Sequence, residues 1–216
     1  MRNAGDEKKM SGGEPDSFDT IEGEYRHEIK VLGSRFLAFA RGADSVDEFR
    51  AYLDALTGEH HSAAHHCYAY RIGPTGGEFR FHDDGEPAGT AGKRIISVME
   101  KHGLVNVCVV VVRYFGGTKL GMGGLSHAYS AVTNQVLSLA VRLRRYVYDR
   151  IEVDFPYDLT SQVHHLMDQY GAETTNREYP ELARYTVRIR SSFSKRFADD
   201  LSNLLKCGSG IRIIPR

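Results

Sequence analysis

The 216-residue sequence lacks four features that would assign it to a special class of protein. No apolar run approaches the ~20 residues of a membrane-spanning helix, and the first segment, MRNAGDEKKMSGGEPDS, lacks the apolar stretch of a signal peptide. Its cysteines, Cys67, Cys108 and Cys207, form no CxxC pair, which argues against a disulfide framework or a thiolate zinc site. Basic and acidic residues balance at 28 each, so no net basic charge indicates nucleic acid. These absences predict a soluble cytoplasmic protein that does not bind membranes.

The distribution of polar and apolar residues predicts a tail followed by two domains of the α+β class. Residues 1–23 are rich in Gly, Ser, Asp and Glu and are expected to be disordered. Residues 24–143 mix strand and helix patterns and include a continuously apolar strand at 104–115, which is typical of a strand buried on both faces. Residues 144–216 follow the order βαββαβ, which is the ferredoxin-like pattern, with Ser194 expected to cap the last helix.

Two glycine-rich segments carry most of the candidate binding residues of the first domain. DDGEPAGTAGK places carboxylates, which could hold Mg²⁺, before a predicted helix whose N-terminus could bind an anion and whose expected cap is Thr90. RYFGGTKLGMGG links the buried strand to a helix expected to begin at Leu125, and its glycines allow close approach of a backbone or ligand. We predict that both segments lie on one surface; the alternatives are a charged turn and a tight turn. The candidate ligand or partner residues are His65, Arg71, Asp83, Asp84, Glu86, Lys93, Arg113 and Lys119.

A cluster of histidines lies beside Cys67 in the sequence. His61 and His65 have the i,i+4 spacing of metal ligands on a helix, but the predicted strand from His65 onward would keep them apart. No CxxC or HExxH pattern supplies further ligands. Cys67 is an apolar position of the predicted strand and is expected to face the core. The sequence therefore predicts no metal, no cofactor and no cysteine nucleophile.

One strand of the second domain alternates arginine with apolar residues. In RYTVRIR (184–190) the arginines share one face, while Tyr185, Val187 and Ile189 share the face that packs on the helices. Because a split βαβ unit covers one sheet face only, we expect the arginines on the open face, where they would resemble an RNA platform. A solvated sheet face is the alternative. The candidate RNA-binding residues are Arg150, Arg184, Arg188, Arg190 and Arg212.

Three segments, HHCYAYRIG, DDGEPAGTAGK and VVVVRYFGGTKLGMGGLSHAYS, resemble the IMPACT family in its bacterial two-domain (YigZ-type) form, over about Tyr25 to Ala140. The resemblance implies a first domain like the second domain of ribosomal protein S5 and a second domain like the last domain of elongation factor G. It also implies a link to translation, because eukaryotic relatives are translational regulators that act through protein contacts. No enzymatic activity is firmly attached to the family, and likeness of fold alone does not define a mechanism.

The sequence is compatible with three functions. The main hypothesis is a non-enzymatic protein that binds RNA or the ribosome and modulates translation. The second is an enzyme that acts on a phosphorylated metabolite or nucleotide at the glycine-rich loops. The third is a protein-interaction adaptor that contacts a translation-regulatory protein.

Overall fold

A computed structural model describes residues 16–179, 181–205 and 210–214. Its mixture of helices and mainly antiparallel sheets confirms the α+β class. The chain divides into two compact units. Ser17–Arg145 form the first unit, while Asp16 and the described residues from Tyr146 onward form the second. No helix in the described part of the chain is long and apolar enough to cross a membrane.

Five strands of the first unit form one antiparallel sheet, in the order β2-β3-β6-β4-β5, and β1 pairs with β7 in a separate two-stranded sheet. The elements are β1 (Ser17–Ile21), β2 (Glu24–Val31), β3 (Ser34–Gly42), α1 (Val46–Glu59), β4 (His65–Ile72), β5 (Glu78–His82), α2 (Gly92–Lys101), β6 (Val107–Tyr114), α3 (Gly121–Leu139) and β7 (Arg142–Tyr146).

The central strand β6 is buried on both faces, as its apolar sequence predicts. Every residue of β6 before Tyr114 is buried. Val109 and Val111 pack in the core that contains residues of α2 and α3, whereas Val110 and Val112 pack in the core that contains residues of α1. Full burial of each valine contributes about 1.5–3 kcal/mol, so helices on both faces hold this strand in the middle of the sheet.

The first strand lies in the segment that we expected to be a disordered tail. Thr20 and Ile21 of β1 are buried, and the Thr20 hydroxyl donates a hydrogen bond to the carbonyl oxygen of Asn106 at 3.0 Å. The expectation is wrong for 17–21 because the partners of β1 lie far away in the sequence, where local composition gives no sign of them. Residues 1–15 of the expected tail lie outside the described residues.

The second unit has the predicted order βαββαβ and an antiparallel sheet in the order β11-β8-β10-β9. Its core joins Tyr185, Val187 and Ile189 of the sheet to apolar residues of both helices. Ser194, the expected cap, is instead buried inside the last helix, because that helix begins at Ser191. The elements are β8 (Tyr148–Phe155), a 3₁₀ turn (Tyr157–Leu159), α4 (Thr160–Tyr170), β9 (Glu173–Glu178), β10 (Ala183–Arg190), α5 (Ser191–Leu205) and β11 (Ile211–Ile214).

Candidate functional site

The two glycine-rich segments of the first unit meet at a buried ion pair. Arg113 Nη1, at the end of β6, lies 2.6 Å from Glu86 Oε1, in the loop between β5 and α2. The two side chains are 6% and 2% exposed. Arg113 Nη2 lies 3.4 Å from Ser34 Oγ, and its guanidinium lies over the Phe36 ring at 5.3 Å. Two of the sequence candidates therefore form a single buried feature.

Two further side chains complete this cluster. The Tyr129 hydroxyl donates to Glu86 Oε1 at 2.8 Å, and Cys67 Sγ lies 3.3 Å from Tyr129 Oη and 3.0 Å from the Asp83 carbonyl oxygen. Burial raises the pKa of both the Tyr129 hydroxyl and the Cys67 thiol, so both groups keep their protons. A protonated thiol is a poor nucleophile, which agrees with the core role expected for Cys67. Tyr129 was missed from the sequence because it occupies an ordinary apolar position of α3.

The side chain of Asp83 binds the backbone at the start of α2. Its Oδ1 accepts hydrogen bonds from the backbone nitrogens of Ala91 at 3.0 Å and Gly92 at 2.8 Å, and its Oδ2 accepts one from Gly89 at 2.8 Å. The expected cap, Thr90, instead donates its hydroxyl to the Pro87 carbonyl oxygen at 2.7 Å. The N–H groups that the sequence offered to an anion are therefore occupied by a carboxylate of the same chain.

Asp84 ties the same loop to β4. Its Oδ2 accepts from the His66 backbone nitrogen at 2.6 Å, and its carbonyl oxygen lies 2.7 Å from His65 Nδ1. A carbonyl only accepts, so His65 Nδ1 carries the hydrogen. His65 Nε2 lies 4.0 Å from Glu86 Oε1, which places His65 at the rim of the cluster. Within the described residues, no group of three or more His, Cys, Asp or Glu side chains could hold a metal ion.

Backbone packing accounts for part of the glycine content of the second segment. A Cβ atom on Gly116 would lie 1.9 Å from the carbonyl carbon of Gly33, so no side chain fits there. Helix α3 begins at Gly121, not at the expected Leu125, because the segment Gly121–Gly124 already forms its first turn.

Three of the sequence candidates lie outside the cluster. Arg71 is at the opposite end of β4 from His65, where its Nη1 donates to the Leu104 carbonyl oxygen at 2.9 Å. This contact fixes the loop before β6 and gives Arg71 a structural role. Lys93 and Lys119 are exposed, on α2 and in the loop before α3.

Arg184, Arg188 and Arg190 of β10 lie on the sheet face away from the core of the second unit, as the alternation predicts. Arg184 forms two bonds with Asp154, at 2.7 and 2.9 Å, and this contact raises the pKa of the guanidinium. The backbone of Arg212 pairs with Glu152. At this end of the face, the Arg184 side chain is therefore paired with an acidic residue.

The other end of the face combines arginines with tyrosines. Arg188 lies 4.3 Å over the Tyr148 ring and 2.8 Å from Glu173, and Arg190 lies 4.1 Å over the Tyr146 ring and 2.9 Å from Asp16. Arg150 stands directly opposite Arg188 in the sheet and is exposed. We call Arg150, Arg188, Arg190, Tyr146 and Tyr148 the arginine–tyrosine end. The contribution of Tyr146 was missed because it precedes the predicted domain pattern.

Comparison with known proteins identifies the family. A family model described as the Impact N-terminal domain matches residues 32–137. A relative in Thermus thermophilus, "IMPACT family member in pol 5'region", is 42% identical over 161 residues, which cover 74% of this chain and 86% of the relative. The chain belongs to the IMPACT family. IMPACT family member YigZ of Escherichia coli is 32% identical over 79% of this chain and 86% of its own length.

A solved structure described as "Crystal structure of an hypothetical protein" has a similar fold. It is 28% identical to this IMPACT family member, with a TM-score of 0.68 over 93% of this chain and 98% of that chain. The Impact N-terminal domain match contains the whole Glu86–Arg113 cluster and ends before the arginine–tyrosine end. The buried cluster therefore lies inside the matched domain, and the arginine–tyrosine end lies outside it.

Proposed function

We propose that this IMPACT family member is a non-enzymatic, cytoplasmic RNA-binding protein that acts in translation, and that the arginine–tyrosine end is its RNA surface. The observation that carries the proposal is the stacking of Arg188 on Tyr148 and of Arg190 on Tyr146, with Arg150 beside them. A guanidinium that stacks on an aromatic ring still points its N–H groups outward in its own plane, where they can donate in pairs to phosphate oxygens. The exposed ring of Tyr146 adds an aromatic surface for a base.

The acid beside Arg188 leaves room for an RNA strand. Glu173 and Asp16 each pair with one arginine, while no described residue forms an ion pair with Arg150. Arg188 and Glu173 are 43% and 66% exposed, and exposed ion pairs contribute only about 0–1 kcal/mol, so phosphates can displace the carboxylate at low cost.

The architecture supports the ribosome as the source of that RNA. The βαββαβ order and the strand order β11-β8-β10-β9 support a ferredoxin-like second domain resembling the last domain of elongation factor G. We propose for the first unit a fold like the second domain of ribosomal protein S5. Both likenesses come from proteins of translation, and both are analogies of fold.

The enzyme hypothesis has less support, because its candidate residues already have structural partners. Asp83 caps α2, Asp84 ties the loop to β4, and Glu86 pairs with Arg113 out of contact with solvent. Of the candidates, Lys93 and Lys119 remain as exposed cations without a matching catalytic acid or base. Binding of a translation-regulatory protein, the adaptor hypothesis, is an outcome that the following experiment distinguishes.

The test compares two ends of one sheet face. The triple variant Arg150→Ala, Arg188→Ala, Arg190→Ala should reduce the slope of log K against log salt for single-stranded RNA by about 2, from ~0.7 per phosphate contact. Arg184→Ala is the matched control for Arg188→Ala, because it removes one arginine from the same strand at the acidic end. Both single variants should keep their stability within about 0.5 kcal/mol, since the side chains lie on an open face.

The binding assays are titration with single-stranded RNA and sedimentation with ribosomes across a salt series. An unchanged slope in a folded triple variant, or equal effects of Arg184→Ala and Arg188→Ala, would contradict the proposed surface. If the affinity for ribosomes changed neither with salt concentration nor in the triple variant, the result would instead favour the adaptor hypothesis.

A further inference from the structure

Strand β5 forms one edge of the five-stranded sheet and exposes two phenylalanines. All five residues of β5 are exposed, with Phe79 at 57% and Phe81 at 39%. β4 pairs with one side of β5, and no described strand pairs with the other side. Phe81 stands opposite Ala69 of β4 and Phe79 opposite Arg71, so both rings project from the same sheet face. Exposed aromatic residues on an unpaired edge indicate a surface that pairs with another strand.

The open part of this edge is the segment Glu78–Arg80. At the other end of β5, a Cβ atom on Gly92 would lie 2.7 Å from the backbone of His82, so the start of α2 packs closely there. An added strand therefore has access to the first three residues of β5. These carry one acid, one aromatic ring and one base.

The charges in this segment are complementary to those of a second copy. In antiparallel pairing about a two-fold axis through Phe79, Glu78 of each copy stands opposite Arg80 of the other, and the two Phe79 residues face each other. Moving the axis to Arg80 places two arginines opposite each other, and moving it to Glu78 does the same for two glutamates. Opposite charges across a strand pair are stabilising and like charges are destabilising, so the sequence selects the register centred on Phe79.

We propose that this chain forms a two-fold symmetric dimer through antiparallel pairing of β5 with β5 of a second copy, centred on Phe79. The pairing joins the two five-stranded sheets edge to edge, satisfies outward backbone groups of Glu78–Arg80 and brings the two exposed Phe79 rings together. The paired strands are short, so the interface is small and the dimer is weak and depends on concentration.

The test is sedimentation velocity of the full chain from micromolar to millimolar concentration. The wild type should shift from monomer to dimer across this range. Arg80→Glu turns two attractive pairs into two repulsive ones and should raise the dimer dissociation constant by about fourfold or more. The double variant Glu78→Arg, Arg80→Glu restores opposite charges and should recover most of the loss. Arg26→Glu, an equal charge change at an exposed position of the other edge strand, β2, is the matched control and should have no effect.

Each remaining outcome overturns the proposal. A wild type that stays monomeric at millimolar concentration excludes the dimer. A dimer that Arg80→Glu does not weaken lies at another surface, and a loss that the double variant does not recover excludes the Phe79-centred register. Far-ultraviolet circular dichroism confirms that each variant is folded, which we expect because the substituted residues are exposed.

Discussion

Replacing Arg113 by Met tests whether the buried cluster of the first unit is structural. The substitution keeps an apolar side chain against Phe36 but leaves the carboxylate of Glu86, 2% exposed, without its positive partner. Removing one member of a buried ion pair costs about 3–5 kcal/mol. Because domains are stable by only about 5–15 kcal/mol in total, we expect Arg113→Met to bring the first unit close to its limit of stability.

The double variant Arg113→Met, Glu86→Leu separates the ion pair from the packing around it. With both charges removed, no uncompensated charge stays buried, so most of the cost of the single variant should disappear. The Tyr129 hydroxyl would lose its acceptor on Glu86, and this leaves a residual cost of about 1–3 kcal/mol. We therefore expect the double variant to be more stable than Arg113→Met.

Urea unfolding followed by circular dichroism gives the free energies, and hydrogen exchange of the α3 amides assigns the transition to the first unit. Arg35→Met is the control, because the ion pair of Arg35 with Glu28 is exposed and should contribute no more than about 1 kcal/mol. Arg113→Met within about 1 kcal/mol of the wild type would refute the reasoning. So would a double variant less stable than Arg113→Met, because removing the second charge would then have relieved no electrostatic cost.

Two further predictions concern glycine and cysteine. Gly116→Ala should destabilise the first unit by more than about 4 kcal/mol, because its Cβ would overlap the Gly33 backbone. Gly123→Ala, in open space on α3, should stabilise the unit by about 0.5–1 kcal/mol. Thermal unfolding of both variants measures the difference, and the reverse order of stability would contradict the packing. Burial raises the pKa of the Cys67 thiol, and it raises that of Cys108 to about 12. In a Cys207→Ser background, both thiols should therefore resist Ellman's reagent at about pH 8 until urea unfolds the chain. Rapid labelling of the native protein would contradict this prediction, because it would show an accessible thiol.

Features encoded in a short stretch of sequence could be predicted, and those that depend on distant partners could not. The buried strand β6 follows from its apolar run, and the order βαββαβ from alternation and helical spacing. Strand β1 was missed because its partner β7 lies more than 100 residues away. The cap of α2 was assigned to the nearest suitable residue, Thr90, whereas the loop folds back and places the Asp83 carboxylate on the same N–H groups.

On the sheet face that carries the arginines of β10, too, the sequence does not reveal which distant residues contact each side chain. Alternation assigns the arginines to one face, but register decides what stands opposite each of them. Arg184 meets Asp154, whereas Arg188 meets Arg150, and like charges directly opposite each other destabilise a strand pair. The ring of Tyr148 and the carboxylate of Glu173 offset part of that cost. A bound polyanion would offset the remainder, and for this reason we propose the arginine–tyrosine end, and not Arg184, as the RNA surface.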